Sequence, residues 1–127
     1  MKVPMTARLF VIEDEYFVAL VIEETMISAG HEVLGVYASG EAAIAAAPDL
    51  KPDLALMDIR LAGEMNGIEA AVALKELGIP CIFASANSDE MMRRAAERAE
   101  PLGWVTKPFA QAELVSAVSA ALNRKAS

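Results

Sequence analysis

Three acids, a hydroxyl and an ammonium stand where a parallel sheet would bring them to one edge. The apolar run Leu54-Ala55-Leu56-Met57 ends on Asp58, and polar, glycine-containing sequence follows. Leu9-Phe10-Val11-Ile12 ends in the same way on Glu13-Asp14-Glu15, Cys81-Ile82-Phe83-Ala84 on Ser85, and Gly103-Trp104-Val105-Thr106 on Lys107. Carboxylates gathered without a counter-charge repel one another and raise a pKa. A hard divalent cation removes that conflict, and octahedral Mg²⁺ takes one or two carboxylates together with waters and backbone carbonyls. With its charge compensated, Asp58 can act as a nucleophile and form an acyl phosphate. The metal and Lys107 would neutralise the phosphoryl oxygens, and Ser85 would donate a hydrogen bond to one of them. Each residue alone has a plainer role: Glu13 as a helix-dipole partner, Ser85 as a turn or cap, Lys107 as a surface charge. Their joint placement at matched strand ends is what argues for a site.

The elements that must position them alternate strictly. Strands are expected at 9–12, 32–37, 54–57, 81–84 and 103–106, with helices at 16–29, 40–47, 68–77, 91–100 and 110 to about 125. Pro48 and Pro101 close the second and fourth helices in this reading. Four buried-type residues in a row at 54–57 mark a central strand covered on both faces. Strand-then-helix units in alternation make an α/β domain, a doubly wound five-stranded parallel sheet with five helices. Open sheets of this kind place ligand sites at the carboxyl ends of their strands.

The first helix carries more apolar residues than one buried face needs. Val18, Ile22 and Met26 repeat at i, i+4 and i+8, and Gly30 suits the C-cap. Glu15 suits the positive end of the helix dipole. Phe17, Leu20, Val21 and Ile27 form a second stripe, which either packs on the sheet or a neighbouring helix or is left open for a partner. Lone His31, between Gly30 and the second strand, reads as a solvent-edge residue; it has no Cys or His neighbour with which to share a metal.

Composition narrows the classes. With 127 residues the chain holds one domain with a real core and not two ordinary ones. The formal charge of −7 argues against direct nucleic-acid binding, because an acidic surface repels phosphates. A single cysteine excludes an internal disulfide framework, and Cys81, set in an apolar run, reads as a buried small hydrophobe. No signal-peptide core or membrane-length apolar run is present, so a cytoplasmic protein with no membrane association is expected.

Four segments carry a family resemblance: Val11-Ile12-Glu13-Asp14-Glu15, Leu56-Met57-Asp58-Ile59-Arg60, Phe83-Ala84-Ser85-Ala86 and Val105-Thr106-Lys107-Pro108-Phe109. In this order and spacing the chain resembles the receiver domain of two-component response regulators over essentially its whole length, residues 1–127. The resemblance implies a flavodoxin-like fold with strand order 2-1-3-4-5. It implies that Asp58 accepts phosphate from a phosphohistidine on a sensor histidine kinase or histidine phosphotransfer protein. Asp14 becomes a direct Mg²⁺ ligand, Glu13 a ligand through water, and the backbone carbonyl of Arg60 a third protein ligand beside Asp58. Ser85 becomes a switch hydroxyl and Trp104 a switch aromatic, which together alter the face formed by the fourth helix, fifth strand and fifth helix. The Lys107-Pro108 bond is expected to be cis, which is physically plausible at a strand-end turn.

Three departures stand out. The usual Leu-Pro after the acceptor is Leu61-Ala62 here, and the loop is one residue longer before Gly67. Trp104 is bulkier than the common Tyr or Phe. Arg60 and Asn87, two residues past Asp58 and Ser85, flank the route of the attacking water and are expected to tune dephosphorylation. Such a protein would not be an enzyme on other molecules; it would catalyse only its own phosphorylation and dephosphorylation.

Rival readings fit less well. A flavin carrier needs phosphate-cradling Ser/Thr-rich turns where this chain has acids, and a haloacid-dehalogenase-type phosphatase needs Asp-x-Asp after the first strand. Neither a Gly-x-Gly-x-x-Gly motif nor a Walker loop is present. Within the family, the chain is either a stand-alone receiver or a receiver cut from a longer regulator. Since the sequence ends just after the fifth helix, no output domain is expected and a downstream protein target is reached by contact. The remaining alternative is a non-phosphorylated interaction module.

Overall fold

The computed structural model describes residues 6–86 and 89–126. Five strands, β1 (Arg8–Ile12), β2 (Glu32–Tyr37), β3 (Leu54–Met57), β4 (Cys81–Ser85) and β5 (Gly103–Thr106), form one parallel sheet in the order β2-β1-β3-β4-β5. Five helices alternate with them: α1 (Tyr16–Ser28), α2 (Gly40–Leu50), α3 (Gly67–Glu76), α4 (Glu90–Ala96) and α5 (Gln111–Ala126). The expected class and strand order are both found.

Strict alternation along the central strands divides the core in two. Phe10, Ile12, Ala55, Met57, Cys81 and Phe83 face one way and meet Ala43 and Ala47 of α2, Ile68, Ala71 and Leu74 of α3, and Ala96 of α4. Leu9, Val11, Leu54, Leu56 and Ile82 face the other way and meet Ile22 and Met26 of α1 with Leu114, Val118 and Leu122 of α5. Period-2 strands buried on both sides are what a two-layer helical cover demands. Cys81 is among them, and burial pushes its thiol up to about 12, so it is an inert core residue.

The chain leaves β1 for β2 on one side and returns to β3 on the other. The strand order therefore reverses between β1 and β3, and a crevice opens at their carboxyl ends. Asp58 and the Glu13–Asp14 pair lie at that point.

Three local expectations are corrected. Pro48 does not end α2, which continues to Leu50 and stops where Lys51 turns left-handed at φ +48°. A proline in the last turn removes one N–H, and the packing of Ala47 and Leu50 on the core outweighs that loss. The fourth helix is shorter than 91–100: after Ala96 it tightens into a 3₁₀ turn, Glu97–Ala99, and Glu100 leaves the helical region at φ +49°. Pro101 disfavours helical backbone at the residue before it. His31 is buried rather than at a solvent edge, and its Nδ1 accepts the Ala7 backbone N–H at 3.1 Å. Among the described residues no helix is long and apolar enough to cross a membrane.

Candidate functional site

Hydrogen bonds between neighbouring strand ends hold the edge in register. The Glu13 N–H donates to the Tyr37 carbonyl at 2.9 Å, the Asp58 N–H to that of Ile12 at 2.9 Å, and the Lys107 N–H to that of Ser85 at 3.0 Å. Each functional side chain thus leaves a backbone fixed to the next strand. Below Asp58 the fit is tighter still. A Cβ on Gly67 would stand 1.9 Å from the Asp58 carbonyl oxygen and 2.7 Å from the Ile59 Cα, so only glycine lets α3 start there. The Gly67 N–H closes that contact on the Ile59 carbonyl at 2.7 Å. An Asn66–Glu69 capping box fixes the entry to the helix.

Lys107 reaches two acids. Its Nζ donates to Asp58 Oδ2 at 2.9 Å and pairs with Glu13 Oε1. The other Asp58 oxygen, Oδ1, accepts the Ile59 N–H at 2.7 Å, and Glu13 Oε2 accepts the Glu15 N–H at 3.1 Å. Glu15 is the α1 N-cap residue, yet its side chain makes no capping bond. Glu13 and Asp58 are both buried, whereas Asp14 is exposed. Burial pushes the Glu13 carboxyl up to about 7, with the Asp58 charge adding to the rise and Lys107 and the Glu15 N–H opposing it. Burial alone would lower the Lys107 ammonium, but its bonds to Glu13 and Asp58 prevail and raise it.

Glu13, Asp14 and Asp58 each offer a carboxylate oxygen within 4.8 Å of the others. Three carboxylates thus face a single ammonium, and the donor set is made of hard oxygens, which fits a divalent cation of the Mg²⁺ or Ca²⁺ type. Asp14 and Asp58 border a cleft of about 360 Å³ whose walls also include Glu15, Arg60, Ser85, Ala86 and Lys107. Asp14, Asp58, Ser85 and Lys107 are therefore gathered at one cleft, and Glu13 joins them through its pair with Lys107. Trp104 is not one of its walls. Its ring lies against Phe83, centroids 5.1 Å apart, with the Arg93 guanidinium 4.7 Å above it. Its indole N–H is buried without a hydrogen-bond partner among the described residues. Asn87 lies outside the described residues.

The response regulator receiver domain model matches residues 9–119. The chain belongs to that family. It is 34% identical over 120 residues to the phyllosphere-induced regulator PhyR of Methylorubrum extorquens, covering 93% of this chain and 44% of PhyR. It is 30% identical over 117 residues to the chemotaxis protein CheY of Thermotoga maritima, covering 91% of this chain and 97% of that protein. Against PdtaR of Mycobacterium tuberculosis the match covers 57% of the relative, so this receiver spans about half of several longer regulators. The signal receiver domain of a modulated diguanylate cyclase from Desulfovibrio desulfuricans superposes with a TM-score of 0.88 at 34% identity, covering 95% of this chain and 97% of the other. The Lys107-Pro108 bond of this receiver is cis, as the resemblance implies.

The altered loop after Asp58 also finds its reason. Ala62 donates its N–H to the Ala38 carbonyl at 3.1 Å and bridges to Ser39, a bond that the usual proline could not make. Beyond it, the Glu64 N–H donates to Glu41 Oε2 at 3.1 Å. Sequence reasoning passed over Glu41, which looks like any acid in a first helical turn. Its one outward sign is Gly63, at φ +88° with the Glu41 oxygens 2.8 and 2.9 Å from where a Cβ would stand.

Proposed function

We propose that this receiver accepts a phosphoryl group on Asp58 from a phosphohistidine of a sensor histidine kinase or histidine phosphotransfer protein. The observation that carries the reading is Lys107, bonded at once to Asp58 and Glu13 beside the exposed Asp14. An Asp58 carboxylate oxygen attacks phosphorus, the phosphorus–nitrogen bond to the donor imidazole breaks, and that nitrogen keeps the electron pair. An acyl phosphate is left on Asp58. Lys107, already 2.9 Å from Asp58, is placed to pair with the incoming phosphoryl oxygens. Glu13, Asp14, Asp58 and the Arg60 carbonyl are the groups that would hold Mg²⁺. That ion, when bound, supplies positive charge to the phosphoryl oxygens. Hydrolysis returns the free carboxylate, and Arg60 at the cleft wall tunes access of water to it.

Ser85, buried at the end of β4, donates its hydroxyl to the phosphate in this reading. Register couples β4 to β5, because Ser85 pairs with Thr106 and Phe83 with Trp104. A shift of Ser85 therefore bears on Trp104 and on the α4–β5–α5 face, through which a downstream protein is contacted. Donor contact is assigned to a neighbouring groove of about 460 Å³, lined by Phe17, Val18, Val21, Ala86, Lys107, Pro108 and Phe109. Phe17 is 76% exposed, a large apolar surface beside the acceptor.

The test is phosphorylation by acetyl phosphate with and without Mg²⁺. Wild type should take up phosphate only with the metal, Asp58→Asn should take up none, and Arg60→Asn should change the rate of hydrolysis. No uptake by wild type would return the chain to the interaction-module reading, and an unchanged hydrolysis rate would remove Arg60 from its role.

A further inference from the structure

We infer that Glu41, on α2, is a positioning residue for the cation site: by holding the loop after β3 it sets where the Arg60 carbonyl stands. The inference rests on the reading of the acidic cleft as a Mg²⁺ site. The loop between β3 and α3 is fastened at its base by the Gly67–Ile59 bond and at Ala62 by the Ala38 carbonyl. Between Ala62 and the Asn66 cap, Glu41 is the side chain that grips it, accepting the Glu64 N–H at 3.1 Å. The N–H groups of Glu41 itself, Glu64 and Met65 together hold its carboxyl below the usual range. Gly63 turns at φ +88° directly over the Glu41 oxygens, so the loop is shaped around that carboxylate.

This fastening answers the two departures of the loop. A proline after Leu61 would stiffen the backbone by fixing its own φ. Here an N–H bond from Ala62 and a carboxylate reaching across from α2 do that work over a longer loop. A backbone carbonyl is a useful metal ligand only when its direction is fixed before the ion arrives, and groups behind a ligand commonly govern affinity for that reason. Glu41 is exposed, so its loss should loosen the loop without unfolding the domain.

The experiment is an amide NMR titration with Mg²⁺ of the wild type, Glu41→Ala and Glu41→Gln, following Asp14, Asp58 and Lys107, with hydrogen exchange at Glu64 and Met65 measured alongside. The expected result is that Glu41→Ala binds Mg²⁺ about 10-fold more weakly. Its Glu64 and Met65 amides should exchange faster while its thermal midpoint stays near that of wild type. Glu41→Gln, whose amide oxygen can accept the same bond, should stay within about threefold of wild type. Equal Mg²⁺ affinity in Glu41→Ala and wild type would overturn the inference and leave the cation site standing. Equal weakening in Ala and Gln variants would overturn it too, since long-range charge would then explain the effect. A wild type that shows no saturable Mg²⁺ shift would overturn the inference together with the cation site beneath it.

Discussion

The two edges of this one sheet treat charge in opposite ways. At the edge where the strands begin, polar groups are satisfied one at a time. The Arg8 N–H donates to Asp53 Oδ2 at 2.8 Å, Lys125 Nζ to the Asp53 carbonyl at 3.0 Å, and the Ala7 N–H to His31 at 3.1 Å. At the edge where the strands end, three carboxylates meet one ammonium, and two of those acids are buried. The first edge ties elements together. The second holds like charges close at a cost in folding free energy, the arrangement in which perturbed pKa values mark functional sites. If the contrast is real, substitutions at the carboxyl edge should change chemistry strongly, and those at the amino edge should change stability alone.

Lys107→Met tests the contrast where it is greatest. Removing the ammonium leaves Glu13 and Asp58 buried and facing each other, which should cost about 3 kcal/mol of stability without a divalent cation. Uptake from acetyl phosphate at saturating Mg²⁺ should fall about 100-fold, the scale of losing one charge-stabilising group at a reacting centre. Urea unfolding and phosphate incorporation measure the two separately. Incorporation within threefold of wild type would make Lys107 a structural cation and erase the difference between the edges.

A smaller effect separates reaction from recognition at the carboxyl edge itself. Cleft and groove share Ala86 and Lys107, yet one is walled by charge and the other by apolar side chains. Val21, 45% exposed on α1, belongs only to the groove. Val21→Asp should slow phosphotransfer from a phosphorylated histidine protein about 10-fold, or about 1.4 kcal/mol. Acetyl phosphate, which needs no docking surface, should react within about twofold of wild type. Equal slowing with both donors would show that the substitution had disturbed the cleft.

Much of this was legible in the sequence, for reasons that also explain what was not. Runs such as Leu54–Met57 are buried on both faces, so composition alone marks them, and their ends carry the acids and the lysine. The second stripe of α1 was legible too, because surplus apolar residues are conspicuous on a 13-residue helix; Phe17, Val21 and Ile27 are indeed exposed. Contacts across the fold left no local trace. Lys107 and Glu13 are 94 residues apart, and only the strand order brings them together. Glu41 and Glu64 are 23 apart, so nothing near Glu41 in the sequence marked it as a carboxylate that shapes a distant loop. Gly67 stood out in the sequence only as the end of the lengthened loop, although what requires glycine there is the Asp58 backbone pressed against it. His31 failed similarly, since its partner, the Ala7 N–H, lies 24 residues earlier.

That histidine supplies the weakest and most discriminating test, because it belongs to the edge that should leave chemistry alone. Burial lowers its pKa from the ordinary 6.5, and Nδ1 must stay unprotonated to accept the Ala7 N–H. Below about pH 6.5 the unfolded chain binds a proton that the folded chain resists, so stability is lost as pH falls through that window. His31→Leu removes both the acceptor and the titration. At pH about 7.5 it should lose about 1 kcal/mol for the unpaired N–H. Toward pH 5 the gap to wild type should close, because wild type is then losing what the variant no longer has. Denaturant midpoints across that range measure the gap, and phosphate uptake by the variant at neutral pH should match wild type. A gap that widened on acidification would mean that His31 is stabilised in its charged form. A fall in uptake would mean that the two edges are coupled through β1, which runs from Arg8, next to Ala7, to Ile12, next to Glu13.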